Sequence, residues 1–331
     1  MADTQHHCVT REHGWAGKSE RGVVTLASPV SDEQLQVIGP TTRTVQWECP
    51  FSDDELRMVA DAIAGYPAIH IRRYTVGTEP AENLGYLRHF SSSRSVGIEL
   101  NGLRSLEGIE SLSPDLETLS LGTCRVRGRS LAFLRRHPHI RALYIDGWVE
   151  QIETIGELRS LDTLNIRSAT LANFDFLEPL QELTFLGIQR GGTRDLGVLP
   201  KLKKLKVINI WKVNGLTDLG PIGRTESLQW ICLEALSTVT SLPELNQLHN
   251  LRRLELRNLK RLDDLAPLAK TPALEDLQVM SDILKSRHFE VLKGHPTLRN
   301  VEILLGSNRE SAAALQAMGL SYTPFGKFVV R

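Results

Sequence analysis

The run Leu199-Pro-Lys-Leu202-Lys-Lys-Leu205-Lys-Val-Ile208-Asn-Ile210-Trp211 decides how the chain folds. Apolar residues recur at every third position through Leu199, Leu202, Leu205 and Ile208, and the spacing drops to two between Ile208 and Ile210. A period near three fits a tight helical turn and a period of two fits a strand, so the phrase is a turn running straight into a short strand. The closing apolar pair recurs at Ile98/Leu100, Leu119/Leu121, Leu143/Ile145, Leu164/Ile166 and Leu186/Ile188. It continues at Ile208/Ile210, Ile231/Leu233, Leu254/Leu256, Leu277/Val279 and Val301/Ile303, with successive copies 21 to 24 residues apart. Ten copies at so even a spacing predict a solenoid, each repeat giving one strand to a long parallel sheet.

The connections are legible too. Pro179, Pro200, Pro221, Pro243 and Pro267 each follow a ladder leucine by one or two residues. Proline lacks an amide donor and blocks the interior of a long helix, so the convex side should consist of short 3₁₀ turns. Longer repeats around Ser130–Arg136 and Phe289–Lys293 leave room for a helical turn or two. Upstream, Val45-Gln-Trp47-Glu-Cys49 alternates like a strand, and Ser52 with Glu55 three residues on is the capping-box signature of a helix start. Ile69-His-Ile71 reads as the next strand, with His70 a satisfied surface or edge histidine. After Ile303, Ser307 and Gly319 bracket a helix over 309–318, and Phe325–Val330 is expected as a last edge strand. The expected organisation is a flexible extension over 1–40, an α/β cap over 41–83, about ten repeats over 84–304 and a helix–strand cap over 305–331.

The phrases Leu216-Thr-Asp-Leu219-Gly-Pro-Ile222, Leu262-Asp-Asp-Leu265-Ala-Pro-Leu268 and Leu196-Gly-Val-Leu199-Pro-Lys-Leu202 resemble the short leucine-rich repeats of the bacterial internalin type. The resemblance covers about 84–303. It implies an α/β solenoid, a right-handed horseshoe with a parallel concave sheet and short 3₁₀ or helical convex segments, which binds another protein on the concave side and carries no chemistry. One departure is informative. The family's Asn or Cys, three residues after the last strand leucine, is here Cys124, Trp148, Ala169, Gly191, Val213, Leu236, Leu259 or Asp282. Only Cys124 fits, so the turns must be satisfied by backbone or water.

Lys plus Arg and Asp plus Glu are both 39, so no net field draws nucleic acid or an anionic membrane. No apolar run is long enough to span a bilayer, and the start Met-Ala-Asp-Thr-Gln-His-His-Cys lacks a secretory pattern. Cys8, Cys49, Cys124 and Cys232 have no paired spacing and read as free thiols in a reducing cytoplasm. His6, His7, Cys8 and His13 match no metal-ligand signature, and a solvated tail accounts for them. No metal or cofactor is expected, and the chain is taken as a monomer.

If the apolar pairs face the solenoid interior, the residues before, between and after them face out from the concave sheet and form columns. Phe185, Val207 and Trp230 are consecutive in the first column, followed by Arg253; Asp146, Trp211, Glu234 and Arg257 belong to the third, and Tyr144 and Glu255 to the middle one. Large aromatics flanked by Arg have the composition of interface hot spots. The expected partner-binding set is therefore Tyr144, Asp146, Phe185, Val207, Trp211, Trp230, Glu234, Arg253, Glu255 and Arg257. The alternative is that the aromatics are packed under another part of the same chain. Lys201, Lys203, Lys204 and Lys206 read as a solvated flank, Gly191-Gly192 as a turn, and Cys232 as a concave thiol without a neighbouring base. The reading is non-catalytic recognition of a protein partner. A regulatory or catalytic subunit with an N-terminal site, or a purely structural spacer, are the competing classes.

Overall fold

A computed structural model describes residues 22–75, 83–122, 129–323 and 328–330. The chain divides into two compact units, one up to Ile166 and one from Arg167. In the first, the strands are β1 (Val23–Leu26), β2 (Thr44–Trp47), β3 (His70–Tyr74), β4 (Ser95–Glu99), β5 (Thr118–Leu121) and β6 (Ala142–Asp146), and β7 (Thr163–Arg167) ends on the first residue of the second unit. Helix α1 (Asp32–Gln36) follows β1 and α2 (Asp53–Ile63) follows β2. The second unit holds β8 (Phe185–Gly192), β9 (Val207–Asn214), β10 (Trp230–Glu234), β11 (Arg253–Arg257), β12 (Asp276–Ser281) and β13 (Asn300–Leu305). One-turn α3 (Gly220–Gly223) lies between β9 and β10, and α4 (Asn308–Met318) follows β13. Strands pair in parallel with their sequence neighbours from β1 to β6 and from β8 to β13. This is the leucine-rich-repeat solenoid class.

The register matches the expected pairs. Leu186 and Ile188 lie beside Ile208 and Ile210, which lie beside Ile231 and Leu233, and the match continues to Val301 and Ile303. These side chains are almost fully buried, each contributing roughly 1.5–3 kcal/mol relative to exposure. One pair is corrected. In β4 it is Val96 and Ile98, not Ile98 and Leu100, that lie beside Leu119 and Leu121. Leu100 is also fully buried, but just past the strand. As expected from the prolines, Leu199–Lys201 and Ala266–Lys270 are 3₁₀ turns with Pro near the start. Ala132–Arg136 and Ser286–Leu292 are 3₁₀ as well.

The absent Asn ladder has a backbone replacement. Ser168, Lys212, Ala235 and Asn258, each two residues past the second strand apolar residue, adopt φ of 54°, 52°, 53° and 53°. This left-handed kink swings the next residue inward, so that Ala169, Val213, Leu236 and Leu259 are buried. The kinked amides are satisfied by the next repeat: Ser168 N–H donates to the Gln189 carbonyl (2.8 Å), Ala235 to Arg257 (2.9 Å) and Asn258 to Met280 (2.8 Å). Earlier, Gly147 (φ 76°) precedes Trp148, whose buried indole N–H donates to the Gly122 carbonyl at 3.0 Å.

The ends differ from expectation in instructive ways. Strand structure starts before residue 40, because Val23–Leu26 pairs with Thr44–Trp47. The capping box at α2 is present: Glu55 N–H donates to Ser52 Oγ (3.3 Å), and Ser52 N–H to Glu55 Oε2 (2.7 Å). Glu55 Oε1 also accepts from the Ser28 hydroxyl (2.7 Å) and Val30 N–H (3.0 Å), tying the loop after β1 to the helix. These bonds, with Ser28 first, hold the Glu55 carboxyl at about 2. His70 Nδ1 lies 2.9 Å from Ser95 Oγ, and burial with Arg72 nearby pushes its imidazole down to about 4. Ser307 caps α4, and Gly319 closes it at φ 73°; Glu310, however, accepts from the Ser286 N–H (2.9 Å). The expected strand over Phe325–Val330 is corrected where it is described, since residues 328–330 are not strand. Gly191 and Gly192 do not make a turn but extend β8 beside Val213 and Asn214.

Two substitutions test this backbone reading in opposite directions. A Cβ at Gly191 would sit 1.9 Å from the Ala169 carbonyl oxygen, so Gly191→Ala should destabilise by about 1–3 kcal/mol or more. Ala235→Gly removes the left-handed penalty at φ 53° and should stabilise by up to about 1 kcal/mol. Thermal denaturation of both variants checks the pair; a neutral Gly191→Ala would contradict the close backbone approach.

Candidate functional site

The outward columns of the second unit are set by the same register that builds its core. Phe185 lies beside Val207, Val207 beside Trp230, Trp230 beside Arg253, and Arg253 beside Asp276. The third column runs from Gln189 through Trp211 and Glu234 to Arg257. The expected neighbours are therefore brought together along each column. Trp211 and Trp230, however, stand in different columns and gather different surroundings, so one expected aromatic patch becomes two clusters.

The first cluster centres on Trp230, which is only 5 % exposed. The Phe328 ring meets it edge-on, with centroids 5.5 Å apart and planes at 68°. The Arg253 guanidinium carbon lies 5.2 Å from the Trp230 ring centroid and 4.7 Å from that of Phe328. Arg253 is held in place from its other side, donating through Nε (3.0 Å) and Nη2 (2.8 Å) to Asp276 Oδ2. Asn300 donates to the second Asp276 oxygen at 2.7 Å. Phe185 and Val207 are buried in the same column. Self-packing by the same chain, the alternative reading of the aromatics, is thus realised at Trp230 by Phe328.

Beside it runs a buried polar network. Arg257 donates to Glu255 Oε2 (2.8 Å) and to Gln278 Oε1 (2.5 Å), and Gln278 donates to Glu302 Oε2 (2.5 Å). Glu234 lies 4.0 Å from Arg257. Burial raises the Glu255 carboxyl to about 7 against the attraction of Arg257 and Arg253. Burial also raises that of Glu234, opposed by Arg257. Cys232, beside Glu255 in register and two residues before Glu234 in β10, is disulfide-bonded, which corrects the expectation of a free thiol there. Cys49 is free and exposed, and Cys8 and Cys124 lie outside the described residues, as does the histidine-rich tail.

The second cluster centres on Trp211, which is half-buried. The Arg190 guanidinium carbon lies 4.9 Å from its ring centroid and that of Arg167 5.9 Å. Arg190 also lines an open cleft with Ser168, Thr170, Gly191, Lys212 and Asn214. The β8 extension through Gly192 and the left-handed Arg190 and Lys212 place these side chains together. Sequence columns counted from the apolar pairs end one residue short of these positions, so Arg190 and Lys212 escaped that reading.

The remaining expected residues, Tyr144 and Asp146, are in β6 of the first unit. Tyr144 is nearly buried, and burial, with Asp162 nearby, pushes its phenol up to about 12. The lysine run is a flank: Lys201 Nζ lies 2.7 Å from Glu178 and Lys204 Nζ 2.7 Å from Glu182, exposed pairs of small energetic weight. Among the described residues, no helix is long and apolar enough to cross a membrane.

No family model and no curated protein matches the sequence. Solved structures do share its fold. An internalin from Listeria monocytogenes is similar with a TM-score of 0.55 at 15 % identity, over 90 % of each chain. A leucine-rich-repeat protein from Leptospira interrogans gives 0.47 at 16 % identity, over 91 % of this chain and 93 % of that one. The first of these carries the internalin-like leucine-rich-repeat fold assignment.

Glu255 makes the site's electrostatics measurable. Its folded-state value near 7 lies above the ordinary 4.5, so the native state resists ionising this group. Its full contribution is present below about 4.5 and is lost as pH rises through 7. Glu255→Gln abolishes that titration. The stability of the variant relative to the parent should therefore rise by roughly 1–3 kcal/mol between pH 4.5 and pH 8. Denaturant melts at the two pH values measure this, and a constant difference would refute it.

Proposed function

We propose that this chain is a non-catalytic recognition module that binds a protein partner on the outward, concave-side face of β8–β13. Trp211 carries the reading. It is half-buried and set against Arg190 and Arg167 beside an open polar cleft. The solenoid core does not require it, because Ile208 and Ile210 already supply the inward pair of β9. Trp and Arg dominate interface hot spots because they combine large apolar area with directed polar contacts. Arg253 and Arg257, fixed by Asp276 and by Glu255 with Glu234 nearby, place cations at the border of this face in fixed geometry, which favours selectivity and a defined register over raw affinity. Phe185, Val207 and Trp230 form the apolar floor of the same face, and Tyr144 and Asp146 belong to the corresponding face of the first unit.

The test compares the parent chain with Trp211→Ala and Arg190→Ala as baits, with bound proteins quantified by mass spectrometry. Loss of a hot-spot Trp costs about 2 kcal/mol or more, so at least one partner should be retained roughly 30-fold less well by Trp211→Ala. Recovery of every partner at parental levels by a folded Trp211→Ala chain would overturn the reading.

A further inference from the structure

The cleft beside Trp211 has a composition that its turn geometry does not require. Ser168, Thr170, Arg190, Lys212 and Asn214 line it and are all exposed. Among the described residues, none of these five side chains makes a hydrogen bond or an ion pair, and no acidic residue lines the cleft. Elsewhere on the same face the cations are taken, Arg253 by Asp276 and Arg257 by Glu255. Arg190 lies instead against Trp211, its guanidinium carbon 4.9 Å from the ring centroid, a contact that positions the group without using its N–H donors. Ser168, Arg190 and Lys212 hold the same left-handed position in successive repeats, at φ 54°, 48° and 52°. The following repeats fill that position with Ala235 and Asn258, so the kink itself calls for no cation. Two residues further on, Thr170 lies beside Gly192 and Gly192 beside Asn214. Gly192 puts no side chain between them, and with strands about 4.8 Å apart the pair flanks a gap of about 10 Å.

We infer that this cleft binds a phosphomonoester group carried on a side chain of the protein partner, an inference that rests on the recognition reading above and names the chemistry recognised. Charge decides between the oxyanions. Arg190 and Lys212 together are matched by one phosphorylated side chain, which carries about −1.5 to −2 near pH 7. A single carboxylate leaves one of the two cations unmatched. Geometry points the same way. A guanidinium fork and an ammonium suit phosphate oxygens, and the Ser168 and Thr170 hydroxyls and the Asn214 amide can donate to the oxygens that remain. The cleft is open and lies next to the half-buried indole of Trp211. A phosphorylated side chain on an extended segment can therefore enter while the residue beside it packs on the ring.

Isothermal titration of the full chain with three probes tests this: the peptide Gly-Leu-phosphoserine-Leu-Gly, the same peptide with Glu at its centre, and inorganic phosphate. The phosphopeptide should bind at least about tenfold more tightly than the Glu peptide, and the combined Arg190→Asn and Lys212→Asn variant should weaken it at least about thirtyfold. Asn tolerates a left-handed backbone, so these substitutions keep the turn. Lys203→Gln, which removes an exposed cation of the lysine flank, should change nothing. The phosphopeptide should also bind more tightly than inorganic phosphate, and Trp211→Ala should remove that surplus. Equal affinity for the phosphoserine and Glu peptides, or phosphopeptide binding that survives the double substitution, overturns the inference. A phosphopeptide no tighter than inorganic phosphate overturns the assignment to a partner's side chain and leaves free phosphate as the ligand. Baits exposed to phosphatase-treated and untreated lysate separate this site from the wider reading. A partner lost by Trp211→Ala but kept after phosphatase treatment leaves the recognition reading standing without the phosphate site. Phosphopeptide binding at the cleft while Trp211→Ala keeps every partner leaves the site standing and removes the wider reading.

Discussion

Burial of one apolar pair per strand is the constraint from which the rest follows. Successive residues of a strand point to opposite faces, so sending Ile208 and Ile210 into the core sends Val207, Asn209 and Trp211 outward. A slip of one residue would exchange the two sets at the loss of several buried side chains, so the register is strongly specified. Parallel pairing then carries it from strand to strand, and the outward columns of β8–β13 are consequences of the core, not independent features. Residues on the outward face are free of the core's requirement for a matching apolar pair, although most of those on β8–β11 are buried as well. That freedom is what lets Trp230 and Arg253 occupy positions that other strands give to Thr118, Ala142 or Thr163, and Trp211 a position that other strands give to Asp146 or Arg167.

The turn after each strand shows how the fold dispenses with its usual polar ladder. A side-chain ladder satisfies turn amides with Asn or Cys. Here a left-handed residue reorients the chain so that its own amide reaches the next repeat's carbonyl, while the following apolar residue enters the core. The exchange costs backbone strain of about 1–2 kcal/mol per non-glycine kink and gains a buried side chain of comparable or larger value at Val213, Leu236 and Leu259. It also sets the exits of β8 and β9. At Arg190 and Lys212 the kinked residue bears a cation, and both line the cleft near Trp211.

Periodic features were legible in the sequence because each repeat restates them. The inward pairs of β8–β13, the 3₁₀ turns at the prolines and the caps of α2 and α4 all follow from local spacing. At β4, three alternating apolar residues, Val96, Ile98 and Leu100, left two possible registers, and pairing with β5 decides between them. Strand β1 escaped because Val23-Val-Thr-Leu26 is too short to show a period and is fixed by β2. The columns predicted which residues share the outward face, including every neighbour of Trp230 along its strand register. They could not predict Phe328, since a contact between a terminal segment and a distant column leaves no periodic trace. Nor could isolated cysteines reveal that Cys232 is paired.

The polar network on the outward face is expensive for a scaffold. A buried ion pair loses its hydration on both sides, and well-packed apolar residues in the same place are often as stable or more so. Glu255, nearly inaccessible and with its carboxyl raised to about 7, records that cost directly. What such a network supplies is geometry. Asp276 and Asn300 hold the Arg253 guanidinium against the Trp230 ring, while Glu255 and Gln278 hold Arg257. Side chains already fixed in this way surrender little further rotational freedom when another molecule packs on them, and that ordering cost is a large part of what binding must overcome. The solenoid thus gives up stability for fixed geometry among the charged and aromatic groups of this face. The Phe328 ring packs edge-on against Trp230 on this face.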